Sequence, residues 1–514
     1  LTPPDAMLDR AKACQRLASA VRRGEGIVVF GDYDCDGITS TAILTEVLRT
    51  LGGRATPCLA NRFDGGYGVS EAAVDRILQS KPSLVVTCDC GSSDHASLAR
   101  LRDLGIDVIV IDHHLVPEQP LPAVAFLNPH RPECGFPYKY LASCGLALSI
   151  AAGLRKELGA ELDVKRWLDL VAIGTVADVA PLTGDNRALV RAGLGALVRT
   201  ERPGLRLLLD SLEIDAGGAM TGRDIAFRVA PHINAPGRLG APDLALHVLL
   251  ARTKDEAKPL VEALLAKSTE RRALQEQMVQ EAEVEIVERG YAQAPAIVIG
   301  RRGWNTGIVG IVAGRIADKY GLPVVVVGFE GDVGRGSVRG PKGARLHDAL
   351  SSIASCLERF GGHQAAAGLE VKHDQLESLR TAFAEAIVAQ AGQPRAVVTN
   401  SIEIALVEGD KLEDVLRDLE RLEPCGEGNP RPRIVVQGRV VSAREVKGGH
   451  LKLSIERAGG RLDGFAVTLG HRAAELLATT NLVRICGDLR LNQFMGARNV
   501  EMWVEGIEVM DSKA

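Results

Sequence analysis

The sequence predicts a multidomain α/β protein: a parallel-sheet unit, a long connecting helix, a second α/β unit and a C-terminal β-barrel. Three observations carry this. Apolar runs at 27–30, 84–88, 107–111 and 123–127 alternate with helix-like stretches such as 40–51 and 71–79, the pattern of βαβ units around a mainly parallel sheet. A long amphipathic stretch from about Asp255 to Gly290 precedes a fresh strand start at Ala296. Beyond Val397 the texture changes to short alternating strands with Gly turns.

The first strand, Gly26-Ile27-Val28-Val29-Phe30-Gly31, runs straight into Asp32-Tyr33-Asp34-Cys35-Asp36-Gly37. Later apolar runs end at Asp89 and at Asp112-His113-His114. Residues 160–290 read as helical, with Leu260, Leu264, Leu274, Met278 and Ile286 near helical spacing on the connecting helix. The second α/β unit opens on Ala296–Gly300, continues through Pro323–Val327 and ends near the polar stretch Gln390–Arg395. Ile434–Val436, Leu451–Ile455 and Leu482–Ile485 are barrel strands. The expected divisions are 1–254, 255–290, 291–395 and 396–514, since 514 residues exceed one ordinary core.

Composition narrows the class. Hydrophobic residues make up 46% of the chain, but no run approaches the roughly 20 apolar residues of a spanning helix. The segment Leu1–Asp5 has neither the basic nor the apolar region of a secretory signal. Ten scattered cysteines fit a reduced, cytoplasmic protein, and Cys88-Asp89-Cys90 lacks the second pair a zinc site needs. A net charge of -4 gives no global nucleic-acid signal, so binding must be sought in local patches.

The acidic residues carry the chemistry. Asp32, Asp34 and Asp36 would share one face if the chain stayed extended, and clustered carboxylates repel unless a cation lies among them. A calcium loop is excluded: position twelve from Asp32 is Ile43, not Glu, and a strand precedes the motif. Asp89 can bridge two cations, and Asp178, alone in the apolar segment Ile173–Pro181, needs a cation or strong hydrogen bonds. His113 and His114 are adjacent and diverge on an extended segment. One would bind metal and the other a phosphate or leaving oxygen, with Asp112 orienting an imidazole. Oxygen ligands with an imidazole suit paired divalent cations, which split phosphate esters.

Phosphate handles follow. The segment Gly334–Gly340 offers backbone amides, Ser337 and Arg339 as a loop, and Asn234–Arg238 is a turn presenting Arg238. Gly361-Gly362-His363 permits close backbone approach to a ligand, with His363 the ionisable group. Arg431, Arg433, Arg439, Arg444, Lys447 and Lys452, against only Glu445, make a basic strip on the barrel. Aromatics are sparse there, Phe465 lying outside the strip, so backbone tracking is expected more than base stacking.

Together these residues resemble the DHH phosphoesterase superfamily and, within it, the bacterial RecJ-type single-strand-specific exonucleases. The match runs through Gly31–Ser40, Cys88–Gly91, Asp112–His114, Asn128-Pro129, Gly174–Pro181, Asn234–Gly240, Gly336–Arg339, Gly361–His363 and Gly426–Pro430, in order, over essentially the whole chain. The resemblance implies a DHH catalytic domain, a connecting helix, a DHH-associated domain and an OB-fold. It implies that Asp34, Asp36, Asp89, His113 and Asp178 hold two Mn²⁺ or Mg²⁺ ions, Mn²⁺ preferred. Asp32, Asp112, His114 and His363 fall in supporting or catalytic positions, while Arg238, Ser337 and Arg339 fall where the terminal 5′-phosphate is held. Where some relatives carry a His four residues before the Asp34 position, this chain has Phe30.

The implied activity is 5′ to 3′ hydrolysis of single-stranded DNA to 5′-mononucleotides, in recombination and repair. A monomer working with a helicase and a single-strand-binding protein, away from membranes, is expected. Two other readings exist within the superfamily. A small-substrate enzyme, such as a nanoRNase or cyclic-dinucleotide phosphodiesterase, would not need the basic barrel; an inactive DNA-binding scaffold would not retain every ligand.

Overall fold

The computed structural model describes all residues except 215–219, 363, 365, 391–401, 495–496 and 511–514. Five parallel strands, β1 (Gly26–Gly31), β2 (Arg54–Leu59), β3 (Leu84–Cys88), β4 (Asp107–Ile111) and β5 (Ala125–Leu127), form a sheet in the order β2-β1-β3-β4-β5. Apart from the edge strand β2, whose Arg54 and Thr56 are exposed, these strands are nearly continuous apolar runs because both faces are covered. Val28, Phe30, Val85 and Val110 enter one core, and Ile27, Val29, Val86 and Ile111 the other. The chain leaves β1 for β2 on one side and returns to β3 on the other. The strand ends at this reversal are where open α/β sheets bind ligands.

The Cys35–Thr50 helix follows β1 and is buried along most of its length against the helices Ser143–Leu158 and Leu168–Ala177. Gly174 permits that approach, since a Cβ there would lie 2.4 Å from Thr39 Oγ1 and 2.8 Å from Asp36 Oδ1. Farther on, the turn expected at Asn234–Arg238 is instead the end of the helix Ala230–Arg238, which continues a π-helical turn at Ile225–Val229. Asn-Ala-Pro-Gly is a turn signal locally, but Ile233, Ala235, Pro236 and Gly237 are all buried, and packing overrides the propensity.

A 35-residue helix, Lys254–Glu288, is about 50 Å long at 1.5 Å per residue. Its first half buries Val261 and Leu264 in the core of the parallel-sheet unit, and its second half buries Met278, Val279 and Ile286 in the next unit. That unit contains β6 (Ile297–Arg302), β7 (Val324–Glu330), β8 (Val333–Arg339), β9 (Arg359–Gly362) and β10 (Ala366–Lys372), in the order β6-β7-β8-β10-β9, with only β6 and β7 parallel. The expected phosphate loop is therefore strand β8, paired on both sides. Its glycines hide the strand pattern. A Cβ at Gly334 would lie 2.5 Å from the Phe329 ring, and one at Gly336 would lie 2.9 Å from Leu369 Cδ1.

After β11 (Glu403–Ala405), the strands β12 (Arg433–Val446), β13 (His450–Arg457), β14 (Gly460–Ala466), β15 (Val483–Phe494) and β16 (Ala497–Val509) close a five-stranded barrel. Its order, β12-β13-β14-β16-β15 and back to β12, with β14 and β16 parallel, is that of an OB-fold. A bulge between Val440 and Ser442 shifts the alternation of β12. Arg439 and Arg444, five positions apart, thereby both lie exposed on the outer face while Val436 and Ala443 enter the core. No helix among the described residues is long and apolar enough to cross a membrane.

Candidate active site

The carboxylates predicted from sequence converge at the strand ends, but not as an extended row. Helix begins at Cys35, immediately after Asp34, whose Oδ1 accepts the N–H groups of Asp36 (3.0 Å) and Gly37 (3.1 Å) as an N-cap. Asp36 sits in the first turn, where the helix terminus favours negative charge. A second helix terminus points at the same side chain: the N–H groups of Ser143 and Cys144 donate to Asp36 Oδ2 (2.7 Å) and Oδ1 (2.9 Å). Asp89, just beyond β3, has φ of +63°, a left-handed conformation uncommon outside glycine and found where function over-determines the backbone. Asp178 arrives as the residue closing the Leu168–Ala177 helix, so it is both a helix-end residue and a member of the cluster.

His113 stands at the centre. Its Nε2 lies 3.1 Å from Asp89 Oδ1, 3.7 Å from Asp178 Oδ2 and 3.9 Å from Asp36 Oδ2. That nitrogen and Asp32 Oδ1 are buried without a hydrogen bond. Three overlapping groups have ligand atoms within 4.8 Å of one another: Asp89, His113 and His114; Asp36, His113 and Asp178; Asp32, Asp34 and Asp89. Orphaned buried ligand atoms and shared carboxylates are what a pair of cations would complete. The donor set, oxygens with imidazole, fits Mn²⁺ or Mg²⁺.

The electrostatics agree. Burial, and then the neighbouring acids, push Asp32 and Asp89 well above the usual carboxylate range, and burial and Asp36 take Asp178 up to about 9. Burial raises Asp36 too, against the pull of His113. Asp112 differs: burial opposes its ionisation, but the hydrogen bond and charge of His114, the hydrogen bond from Ser92 and the charge of His113 together outweigh that and hold the carboxyl low. His114 is the counterpart, raised to about 9 by Asp112 in spite of burial, whereas burial lowers His113. Asp112 Oδ1 also accepts the N–H groups of His113 and His114, and its Oδ2 accepts that of Ser92.

Tyr67 is a member of the site that the sequence does not announce. Its hydroxyl lies 3.0 Å from His114 Nδ1 and donates to the carbonyl of Asp89 (3.1 Å). Nothing around Gly65-Gly66-Tyr67-Gly68 marks it beyond a glycine-rich turn. Phe30, at the position where some relatives carry a His, is wholly buried. His363 lies outside the described residues; Gly361 and Gly362 end β9.

Beside the acids is a cationic pocket. Ser337 and Arg339 are two apart on β8, with Arg339 donating to Ser337 Oγ (2.9 Å). Arg238 reaches the carbonyl of Gly307 (3.3 Å) at the end of its helix. Arg62, which belongs to no motif in the sequence, lies 4.3 Å above the ring of Tyr33. Burial and then Arg62 lower Arg238 to about 10, and the same two causes lower Arg339. None of the three guanidiniums has a carboxylate partner among the described residues. Three guanidiniums without a carboxylate partner, one of them on a hydroxyl, are a donor set that suits an anion.

The barrel strip is only partly free. Arg431 is held by Glu423 and Asp488 (2.8 Å each), Arg433 by Glu505 (2.9 Å), and Lys452 lies 3.8 Å from Glu501. Arg439, Arg444 and Lys447 have no ion pair among the described residues. Aromatics are nearer than expected: Phe465 is opposite Lys452 across the ladder and 5.1 Å from Trp503, over which Arg490 lies at 4.2 Å. The pair is hidden in the sequence because Trp503 comes from β16, far along the chain.

Comparison with known proteins agrees along the whole length. The family models described as the DHH family N-terminal domain, the DHHA1 domain and the RecJ OB domain match residues 26–175, 292–389 and 403–506. The single-stranded-DNA-specific exonuclease RecJ of Dickeya dadantii is 35% identical over 96% of this chain and 89% of its own length. That of Bacillus subtilis is 32% identical over 99% of this chain, which spans 64% of the relative. A crystal structure of RecJ from Thermus thermophilus in complex with Mn²⁺ superposes with a TM-score of 0.84 at 32% identity, covering 98% of this chain and 72% of that one. The chain belongs to the RecJ family of single-stranded-DNA-specific exonucleases.

Proposed function

We propose that this chain removes 5′-mononucleotides from single-stranded DNA in the 5′ to 3′ direction, in recombination and repair. The observation that carries the proposal is the adjacency of the carboxylate–imidazole cluster to the pocket of Ser337, Arg339, Arg238 and Arg62. Arg238 feels the charges of Tyr33 and Asp34, and Asp32 feels Arg62. One pocket suits the terminal 5′-phosphate and the other the next phosphodiester, so positioning alone sets both polarity and a step of one nucleotide.

Asp34, Asp36, Asp89, His113 and Asp178, with Asp32 alongside, would hold two divalent cations, and an imidazole among them favours Mn²⁺ over Mg²⁺. Bound cations lower the pKa of water and offset charge on the phosphoryl oxygens. Asp112 and Tyr67 engage His114 Nδ1, leaving Nε2 for a phosphate oxygen or the departing 3′ oxygen. Arg439, Arg444 and Lys447 follow the strand backbone, while Phe465 and Trp503 offer faces for its bases. The ten free cysteines suit a reducing cytoplasm. A monomer served by a helicase and a single-strand-binding protein completes the reading.

The test is digestion of end-labelled strands with and without a 5′-phosphate, in Mn²⁺, with duplex as control. Release from the phosphorylated 5′ end of single strands is expected. Release from the 3′ end, or equal cleavage of duplex, would refute it.

A further inference from the structure

The motif Gly426–Pro430 lies between the Leu412–Arg421 helix and β12, away from the strand ends, and the chemistry above gives it no task. Among the described residues its contacts with the catalytic unit fall on the corner that follows Asp178, while the adjoining Glu423 and Cys425 meet Gly222. The N–H of Leu182 donates to the carbonyl of Glu427 (2.7 Å). Arg187 grips the same segment, its Nη1 donating to the carbonyl of Pro424 (3.0 Å) and its Nη2 to that of Leu422 (2.6 Å). The contact is close, and glycine suits it. A Cβ at Gly426 would lie 2.8 Å from Leu182 Cδ1, and Gly428, at φ +67°, faces Pro181 and Thr183.

The corner so held is strained. Val179, directly after Asp178, has φ of +59°, a conformation that a β-branched residue adopts only where its surroundings impose it. Its own side chain is 65% exposed and supplies no packing. From the catalytic side, Tyr138 and Asn186 bind the carbonyl of Pro181 (3.1 Å each). The corner's own helix ties its first half, the N–H of Val179 donating to the carbonyl of Val176 (3.2 Å) and that of Ala180 to the carbonyl of Thr175 (3.3 Å), whereas the N–H of Leu182 is held by the segment that leads into the barrel.

We propose that Arg187 and the Leu422–Gly428 segment form a positioning latch that holds the Asp178–Leu182 corner in its strained form and so fixes the Asp178 carboxylate toward His113. Arg187 and Glu427 are positioning residues and touch no substrate. The proposal rests on the reading of Asp178 as a cation ligand. Its functional meaning is that the barrel segment takes part in assembling the catalytic centre as well as in holding the strand.

The experiment compares full-length Arg187→Ala, Arg187→Lys and Gly426→Val with the parent and with Arg191→Ala, an exposed neighbour on the same helix. Calorimetric Mn²⁺ titration without DNA, hydrogen exchange at the Leu182 amide, and kinetics on short and long strands are measured. Arg187→Ala is expected to speed exchange at Leu182, weaken Mn²⁺ binding about 10-fold, and lower kcat on both substrates with KM little changed. Arg187→Lys should recover part of each effect, and Arg191→Ala should match the parent. If Gly426→Val does not fold, the Arg187 pair still decides. Unchanged Leu182 exchange, unchanged Mn²⁺ affinity, or a defect confined to KM on long strands overturns the latch. A parent protein that neither binds Mn²⁺ nor cleaves DNA would instead overturn the function on which the latch depends.

Discussion

Nδ1 of His114 lies 2.7 Å from Oδ1 of Asp112, and the same carboxylate caps two backbone N–H groups of the histidine pair. Asp112 therefore fixes where the His114 imidazole points and holds the backbone that carries His113. Asp112→Asn preserves shape but removes the charge, and losing such an orienting partner typically costs about 10- to 100-fold in activity or metal affinity. The expected result is a kcat reduced by that order, with a folded protein by circular dichroism. Unchanged kcat would make the contact purely structural.

The pH dependence of stability has a defined sign. Asp178 is raised to about 9, against about 3.9 for a free Asp. Between those values the native state holds a proton that the unfolded state has released, so stability of the metal-free protein falls as pH rises through that window. Asp32, Asp36 and Asp89, also raised, act in the same direction. In chelator, Tm should be higher at pH 6 than at pH 8, and Asp178→Asn should flatten the difference. Mn²⁺ should raise Tm more at pH 8, since binding must displace these protons. A larger Mn²⁺ effect at pH 6 would contradict the assignment.

The proposed phosphate pocket predicts discrimination between strand ends. Arg339→Ala and Arg62→Ala remove charged donors worth about 1.5–3 kcal/mol each, roughly 10- to 100-fold in kcat/KM. The loss should appear with 5′-phosphorylated strands and be small with 5′-hydroxyl strands. Equal losses on both would assign these residues to folding instead.

On the barrel the six basic residues should divide into two classes. Removing Arg444 and Lys447 should make the slope of log affinity against log salt shallower by roughly 0.7 for each phosphate no longer neutralised, with Tm unchanged. Arg431→Ala should instead lower Tm and leave the salt slope nearly intact, because Arg431 already serves Glu423 and Asp488. Trp503→Ala should cost about 1–3 kcal/mol of strand affinity if a base stacks there. Binding titrations at several salt concentrations separate these outcomes.

The ligand cluster is legible in the sequence because each of Asp32, Asp89 and Asp112 directly follows an unmistakable buried strand, and parallel strands deliver such residues to one edge. The barrel is legible from alternation. Less is readable where contacts are distant or packing overrides propensity. Glycines at 334 and 336 disguise β8, tertiary burial turns Asn234–Arg238 from a turn into helix, and the helix start at Cys35 breaks the extended row of Asp32, Asp34 and Asp36. Arg62 and Tyr67 carry no local signature, since their meaning comes from Arg238, Arg339 and His114, which lie far along the chain. Asp488 and Glu505, which pair with Arg431 and Arg433, are likewise remote in sequence.

The Lys254–Glu288 helix is rooted at one end in the core behind the carboxylates and at the other in the core beneath β6 and β7. A continuous rod anchored in both bodies acts as a gauge block. On the proposed function, the spacing of the two pockets is set by the fold rather than by the substrate. An enzyme built this way counts by length, so its product size should stay constant when base sequence, temperature or cation changes the speed at which it counts.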